Sequence, residues 1–399
     1  MYIPIHTITV NGSIQINKVL EVHIQKTLSS FTNNCSITLP KYLRYNNKPV
    51  FTDFESNLFK KGDVFSVKLG YQYQTNIWNT DEQFYGFLAN IEILENTVIL
   101  HLEDYAYWLK LAVFNYVDAS TTLTTLGNKL KAGVNALIPS GVQPINIQIG
   151  KDFPITDFKA SYATGTQILD LLKGNYLLDS YFIKNTLVLG INFSAISNTD
   201  PTKIKSFSTF KSSLIKTVSP NKFYKILNMA NLKFKHIDDL KLNITLKTIT
   251  NGKVQENYFD TNGKISTVQI QEGNHLEFVN FNASSISQME SFVQNQIKRI
   301  RYTGFMKGSS FTTYGLPSIE VKDVIAFDGV GFIRNFNQSV GGYLESIYER
   351  TSYLVDGVNI SFTNQGFRQE VILSNKVATK YSSTSLVDLL KIKTIPSEQ

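Results

Sequence analysis

The fold is decided by the stretch Lys61-Gly62-Asp63-Val64-Phe65-Ser66-Val67-Lys68-Leu69-Gly70, a tight turn that leads into an alternating strand. A second version of this pattern begins at Lys322-Asp323-Val324 in the last quarter of the chain. In both places a strand of the type Gly-aromatic-Leu and then a closing strand follow, the latter at Val98–Leu102 and Val358–Phe362. A strand pattern repeated in the same order at long range indicates a duplicated β-unit. The residues that carry this repeat are Gly62, Asp63, Val64, Gly86 and Leu88 in the first copy and Lys322, Asp323, Val324, Gly342 and Leu344 in the second.

The remaining patterns predict a mainly β chain with α+β insertions, built from two similar antiparallel β-barrels. Period-two alternation, as in Leu20-Glu21-Val22-His23-Ile24, is typical of strands with one wet face. Helical spacing appears at Leu123–Val134 and again around Ile168, and Ser287 with Glu290 fits a capping box before a third helix. The predicted division is a first barrel at 1–112, an insertion at 113–200, a second barrel at 201–235 and 310–376 interrupted by an insertion at 236–309, and a tail at 377–399.

Composition limits the classes of function. The 399 residues carry a formal net charge of +7 that is spread thinly, with one tight cluster at Lys298, Arg299 and Arg301, which does not favour a nucleic-acid interface. The single cysteine, Cys35, excludes a disulfide framework and a multi-cysteine metal site. The N-terminus lacks a secretory pattern, and the chain has no apolar run of the roughly 18 residues that a membrane helix needs. We expect synthesis in the cytoplasm and no membrane insertion by the chain itself.

Motifs for catalysis or cofactor binding are missing from the sequence. It contains no His-Glu-x-x-His motif, no Gly-x-Ser-x-Gly elbow and no phosphate-binding loop. The five histidines are far apart, and neighbouring acids such as Glu103-Asp104 point to opposite faces of a strand. We therefore predict no enzymatic activity, no catalytic residues, no metal and no organic cofactor. Two carboxylates that are distant in sequence could still meet across a cleft, as in glycoside hydrolysis.

Three passages resemble the baseplate hub proteins of contractile-tailed phages. This family includes the late-control protein D family, the hub of T-even phages and the N-terminal hub part of type VI secretion spike proteins. The first passage is Lys61–Val64 with Tyr85–Phe87. The second runs from Tyr162 to Leu172 and on to Gly190, and the third spans Ser318–Leu373, ending in Gly366-Phe367-Arg368-Gln369-Glu370-Val371. The second copy departs from the pattern because Lys322 stands where the first has Gly62.

This resemblance implies a structural role and a set of partners. A hub of this kind is a homotrimer whose two barrels per chain form a six-position ring, which matches a sixfold tail tube to a threefold central spike. The implied partners are further copies of the chain, the tail tube protein, a separate spike protein and other baseplate proteins. DNA or an effector would pass through the lumen. The implied location is the baseplate of a virion tail or of a tail-like injection particle assembled in a bacterium.

Two other classes of function stay open at this level. One is a tail-associated muralytic or glycan-active enzyme, and the other is a receptor-binding tail protein. The missing motifs speak against the first and the lack of shaft repeats against the second. The residues of the ring interfaces cannot be named from these patterns.

Overall fold

The computed structural model describes residues 2–28, 30–73, 77–149, 152, 154–176, 180–189, 204–208, 223–224, 230–233, 242–250, 253–260, 262–268, 274–279, 285–294, 309–316, 318–321, 323–328 and 352–377. These residues form mostly strands in large, largely antiparallel sheets. The prediction of a mainly β chain with α+β insertions is confirmed. No helix in these ranges is long and apolar enough to cross a membrane.

The N-terminal part consists of nine strands and one short helix. They are β1 (Tyr2–Val10), β2 (Ile14–Ile16), β3 (Glu21–Thr27), β4 (Asn34–Pro40), β5 (Arg44–Tyr45), β6 (Lys48–Pro49), β7 (Val64–Tyr73), β8 (Ile77–Ile93), β9 (Thr97–Glu103) and α1 (Ala106–Leu111). Asn11 and Gly12 both take positive φ, +50° and +69°, as the hairpin between β1 and β2 requires. The sequence analysis placed these residues in the first barrel at 1–112 and did not predict the helix α1.

An α+β module follows, and its hydrophobic core also includes Phe87 of β8 and Trp108 of α1. Its elements are β10 (Val113–Thr122), α2 (Leu123–Asn135), β11 (Asn146–Ile149), β12 (Pro154–Thr164), α3 (Gly165–Tyr176), β13 (Ser180–Ile183) and β14 (Thr186–Leu189). The predicted helix at Leu123–Val134 is α2, and its side chains Leu123, Leu126, Leu130 and Val134 are fully buried in this core. The helix begins where the hydroxyl of Thr122 accepts a hydrogen bond from the main-chain N–H of Thr125, 3.2 Å away.

A second α+β module is a four-stranded sheet with a helix against it. The strands are β18 (Leu242–Thr250), β19 (Lys253–Phe259), β20 (Ile265–Ser266) and β21 (Asn274–Val279), in the order β20-β19-β18-β21, and residues 286–294 form α4. The capping box of α4 is formed by Ser285 and Gln288, whose side chains bond each other's main-chain N–H. The predicted pair Ser287 and Glu290 is therefore wrong, since Glu290 instead binds Lys264 at 2.9 Å.

The C-terminal strands join the N-terminal ones in a single sheet. The further strands are β15 (Ile204–Ser208), β16 (Phe223–Tyr224), β17 (Ala230–Lys233), β22 (Ser309–Tyr314), β23 (Val324–Asp328), β24 (Ser352–Thr363) and β25 (Gly366–Val377). The sheet has the order β16-β15-β23-β24-β3-β4-β9-β8-β7-β1-β2, with β25 beside β24 and β22, and β22 beside β17. The antiparallel pair of β3 and β24, with Ile24 opposite Ile360, connects the two ends of the chain.

One hydrophobic core serves strands from both ends of the chain. Side chains from the first part, such as Ile24, Phe65 and Val67, lie in the same buried cluster as Val358 and Phe362. The described strands therefore do not by themselves establish two separate barrels, and that arrangement stays a prediction. The tail beyond residue 377 and the basic cluster at Lys298 lie outside the described residues.

Candidate functional site

An open groove of about 1030 Å³ crosses the polar face of the sheet where the two ends of the chain meet. Alternation along each strand sends apolar side chains to the core and polar ones to this face. Register then aligns His101, Ser36, His23, Ser361 and Arg368 in one row across β9, β4, β3, β24 and β25. The next row is Glu103, Asn34, Gln25, Asn359 and Glu370. The groove is therefore a continuous polar surface shared by both ends of the chain.

The two histidines of the groove each lie beside a carboxylate. His23 lies 3.3 Å from a carboxylate oxygen of Glu21, and His101 lies 3.1 Å from one of Glu92. The side chains of both pairs are about half exposed, from 43% to 52%. Pairs with this exposure contribute roughly 0–1 kcal/mol each to stability.

The groove does not assemble a catalytic constellation within the described residues. Ser36 stands between His23 and His101 in register, but no hydrogen bond joins its hydroxyl to either imidazole in the described part of the chain. A nucleophilic serine needs such a bond to a base. No group of three or more metal-binding side chains occurs among the residues described. Cys35 lies on the core side, 2% exposed, and burial raises the pKa of its thiol.

The two aspartates of the repeat make the same hydrogen bonds. Asp63 accepts a bond from the N–H of Lys60 on its carboxylate, at 2.7 Å, and donates its own N–H to the carbonyl of Lys60, at 3.0 Å. Asp323 forms the same pair of bonds with Glu320, also at 2.7 and 3.0 Å. Both aspartates therefore make the same pair of hydrogen bonds to the residue three positions before them. The absence of a glycine at position 322 does not prevent these bonds.

The strands that follow these turns also correspond. The N–H of Leu88 donates to the carbonyl of Asp63, and the N–H of Val355 donates to the carbonyl of Asp323, both at 2.9 Å. Each of these residues stands directly before an irregularity in the ladder, between Leu88 and Asn90 in β8 and between Val355 and Gly357 in β24. Hydrogen bonding thus places Val355 in the position that Leu88 occupies in the first unit.

This correspondence changes which strand of the second unit matches the closing strand β9. Leu88 pairs with Leu102 in β9, and Val355 pairs with Leu373 in β25. The sequence analysis matched Val98–Leu102 with Val358–Phe362, which lies in β24, so this match is wrong by one strand. It failed because every strand of the unit alternates, and a shift by a whole strand keeps the apolar pattern.

The structure places the other residues of the repeat as follows. Gly62 takes a φ of +88°, which favours glycine, and its N–H donates to the carbonyl of Leu88. Val64 lies opposite Phe87, and Val324 opposite Leu354. Gly86 touches the main chain of β9, because a Cβ there would overlap the carbonyl oxygen of Glu103. Lys322, Gly342 and Leu344 lie outside the described residues.

The junction between the two ends of the chain contains contacts that sequence analysis missed. Lys26 of β3 reaches both carboxylate oxygens of Glu320, at 2.7 and 2.8 Å. The hydroxyl of Tyr71 in β7 donates to the carbonyl of Phe367, and burial raises the pKa of this tyrosine. One signal was present, since Lys26 follows Val22 and Ile24 in the apolar phase of β3. A lysine in that phase indicates a buried ammonium group that needs a carboxylate.

Comparison by sequence and by structure gives different results. No protein-family model matches the chain, and no curated protein matches it by sequence. The tail protein from Neisseria meningitidis MC58 is similar in structure, with a TM-score of 0.58, 10% identity and coverage of 94% of this chain and 97% of that one. The prophage MuSo2 43 kDa tail protein from Shewanella oneidensis has a TM-score of 0.55 and 11% identity, with coverage of 93% and 98%.

A secretion-system complex gives a third match. A chain of the half-lidded Francisella PdpA–VgrG complex has a TM-score of 0.50 and 11% identity, and the match covers 94% of this chain and 58% of that one. At these identities the likeness concerns the fold. The resemblance to hub proteins seen in the sequence is confirmed at that level: over nearly its whole length, the chain has the fold of phage tail proteins and of a chain of a VgrG complex.

Proposed function

We propose that the chain is a structural, non-enzymatic component of a phage tail or tail-like injection machine, and specifically its baseplate hub. The observation that carries this proposal is the length of the structural match, which covers 94% of this chain and 97% of the Neisseria tail protein. The fold of a tail protein thus accounts for nearly all residues of this chain. The turns at Asp63 and Asp323 support a duplicated unit within it.

The duplicated unit suits a ring of three chains. Each chain would present two similar β-units, formed by 1–112 and by 201–235 with 310–376. The segments 113–200 and 236–309 would lie beside them as insertions. Three such chains give six similar positions, which match a sixfold tube on one side and a threefold spike on the other. Closing the ring requires unlike surfaces of neighbouring chains to meet. The tail tube protein, a spike protein and other baseplate proteins would be the partners.

We assign the groove to the lumen of this ring. Its lining includes two carboxylates, Glu103 and Glu370, and one guanidinium group, Arg368, so it carries no cluster of positive charge. A polyanion such as DNA binds proteins mainly through clustered positive charge. A lumen without clustered positive charge would therefore let DNA or an effector pass without retaining it. The particle would be a virion tail baseplate or an injection particle.

A cysteine reporter tests this assignment. Ser361→Cys places a thiol in the middle of the groove, and the native Cys35 is too buried to interfere. In the isolated chain the new thiol should react with a small maleimide and with a polymer-linked one. In the assembled particle the thiol should still react with the small maleimide but should no longer react with the polymer-linked one. Equal reaction with the polymer in both states would contradict a luminal groove. Ser13→Cys, at the exposed turn after β1, is the matched control in the isolated chain.

A further inference from the structure

The connection between β4 and β7 is much longer than its counterpart in the second unit. In the first unit, 22 residues (41–62) lie between the end of β4 and Asp63. The strand of the second unit that corresponds to β4 is β22, because it pairs with β25 as β4 pairs with β9. Eight residues (315–322) lie between the end of β22 and Asp323. Eight residues thus suffice to join these strands, and the longer connection is available for another role.

Buried side chains and hydrogen bonds fasten the β4–β7 connection to the first unit. Val50, Phe51 and Phe59 lie in the shared core and are at most 5% exposed. The N–H of Val50 donates to the carbonyl of Leu43 at 2.9 Å, and the N–H of Asn57 donates to the carbonyl of Val50 at 2.8 Å. The connection therefore presents its exposed side chains from a preorganised backbone, which lowers the entropy lost on binding.

Phe54 projects from this connection and is 94% exposed. It lies in a turn that Thr52 closes. The N–H of Thr52 donates to the carbonyl of Glu55 at 2.9 Å, and the hydroxyl of Thr52 accepts the N–H of Glu55 at 3.1 Å. These bonds hold the phenyl ring in water, although burial of an apolar side chain is favourable. A partner that covered the ring would gain the free energy of burying it.

Two contacts of Lys41 bring further exposed apolar side chains to the same part of the surface. Its ammonium group binds the carboxylate of Asp53 at 2.7 Å, and the residues that follow this pair are Tyr42 and Phe54. Its N–H donates at 3.0 Å to a carbonyl of the turn between β8 and β9, which carries Leu94. Tyr42 is 78% exposed and Leu94 is 42% exposed. Phe54 is therefore one member of an apolar surface and not an isolated exposed residue.

The same connection carries a surplus of positive charge. Its hairpin of β5 and β6 contains Arg44 and Lys48 and no acidic residue, and both cations are exposed. Residues 41–62 together contain five cations and two carboxylates, and the turn of Leu94 adds the carboxylate of Glu95. Carboxylates on a partner would be complementary to this surface.

The unequal length of the two connections favours a partner outside the ring. A ring of six similar positions closes through surfaces that both units share. The β4–β7 connection is not shared in this form, so closure of the ring does not depend on it. A feature of one unit is presented once per chain, and therefore three times in a ring of three chains.

We propose that Phe54 is the anchor of a docking surface for a protein other than this chain. Aromatic side chains are enriched in the cores of protein interfaces, where they fill pockets of the partner. Since Phe54 projects, the partner supplies the pocket, and carboxylates at the rim of that pocket face Arg44 and Lys48. One partner binds per chain. The number of three partners per ring rests on the proposed hub, whereas the anchor itself does not.

Photo-crosslinking in the assembled particle tests the proposal. Tyr42 is replaced by p-benzoylphenylalanine, which leaves Phe54 in place, and purified particles are illuminated. The expected product joins one copy of this chain to one copy of a different polypeptide of the particle, identified by mass spectrometry. The same photoprobe at Val254, a 61% exposed position of β19, is the control and should not give this product. A product of two copies of this chain, or no product at position 42, would overturn the proposal.

A second substitution in the photoprobe chain measures the contribution of the anchor. Phe54→Ser should lower the yield of the product at least about tenfold, as expected for an anchor residue. Val254→Ser, which also removes an exposed apolar side chain, should leave the yield unchanged. An undiminished yield with Phe54→Ser would refute the anchor.

Light scattering on the isolated chain separates this inference from the hub assignment. Phe54→Ser should have the oligomeric state and the urea midpoint of the wild type, because the ring is exposed. A trimer whose product does not depend on Phe54 would refute the anchor and leave the hub. A chain that is missing from the purified particles would contradict both.

Discussion

The ammonium group of Lys26 holds both carboxylate oxygens of Glu320, at 2.7 and 2.8 Å, although the two residues belong to opposite ends of the chain. The two side chains differ in environment, since that of Lys26 is 9% exposed and that of Glu320 is 49% exposed. Together with the pairing of β3 and β24, this ion pair fixes the segment before β23 against the N-terminal part. The difference in exposure gives the first prediction.

Removing the carboxylate should destabilise the protein more than removing the ammonium group. Glu320→Gln leaves a buried charge without its partner and should lower the free energy of unfolding by about 2 kcal/mol. Lys26→Met leaves a carboxylate that water can reach and should cost about 1 kcal/mol or less. The free energy of unfolding of both variants is measured by urea unfolding, monitored by circular dichroism. Glu103→Gln, whose partner Lys110 is 43% exposed, is the control and should have an effect below about 0.5 kcal/mol. Equal losses for both changes would show that exposure does not govern this pair.

A methyl group at Gly86 should disrupt the first unit. The added Cβ would overlap the carbonyl oxygen of Glu103 in the neighbouring strand, and main-chain atoms of a sheet cannot move apart cheaply. Gly86→Ala should therefore lower the free energy of unfolding by about 1–3 kcal/mol. Gly366→Ala is the matched control, because the nearest atom to its Cβ is the Nε of Arg368 at 3.9 Å. Urea unfolding measures both variants. Similar unfolding midpoints for Gly86→Ala and Gly366→Ala would refute the close contact of β8 and β9.

Stability should depend on pH through Asp104. Burial raises the pKa of its carboxyl from 3.8 to about 7, against the opposing effect of the N–H groups of Asn33 and Ala106. The folded state thus holds a proton that the unfolded state has released between about pH 4 and pH 7. The stabilisation is fully present below pH 4 and is lost as the pH rises through 7.

The measurement is the free energy of unfolding between pH 5 and pH 7.5 in the wild type and in Asp104→Asn. The wild type should show an additional fall of at most about 1.4 kcal/mol per pH unit, which the variant lacks. Other titrating groups are common to both proteins and cancel in the difference. Parallel pH profiles would show that Asp104 does not titrate in this range.

Cys35 should be unreactive in the folded protein. Its side chain lies in the shared core, 2% exposed, and burial raises the pKa of the thiol, so that the nucleophilic thiolate is scarce. An aromatic disulfide reagent should titrate no thiol in native buffer and one thiol per chain in denaturant. Rapid titration without denaturant would place Cys35 outside the core and would also invalidate the Ser361→Cys reporter.

The sequence predicted the helices and strands of this fold better than it predicted which strands pair with each other. Alternation identified β3, and helical spacing identified α2, because both depend on local periodicity. The pairing of β3 with β24 depends on contacts between distant parts of the chain, which no local pattern encodes. The closing strand of the second unit was misplaced for the same reason. The hydrogen bond between Gln83 and Ser318 could not be predicted, since it depends on an irregularity in the ladder of β7 and β8.

The mass of the assembled protein in solution tests the central claim most directly. Multi-angle light scattering coupled to size-exclusion chromatography measures it for the purified chain, alone and with its tube and spike partners. Three copies of the 45.1 kDa chain in one particle is the result that a threefold hub predicts. A chain that stays monomeric at high concentration, even with both partners present, would contradict the hub.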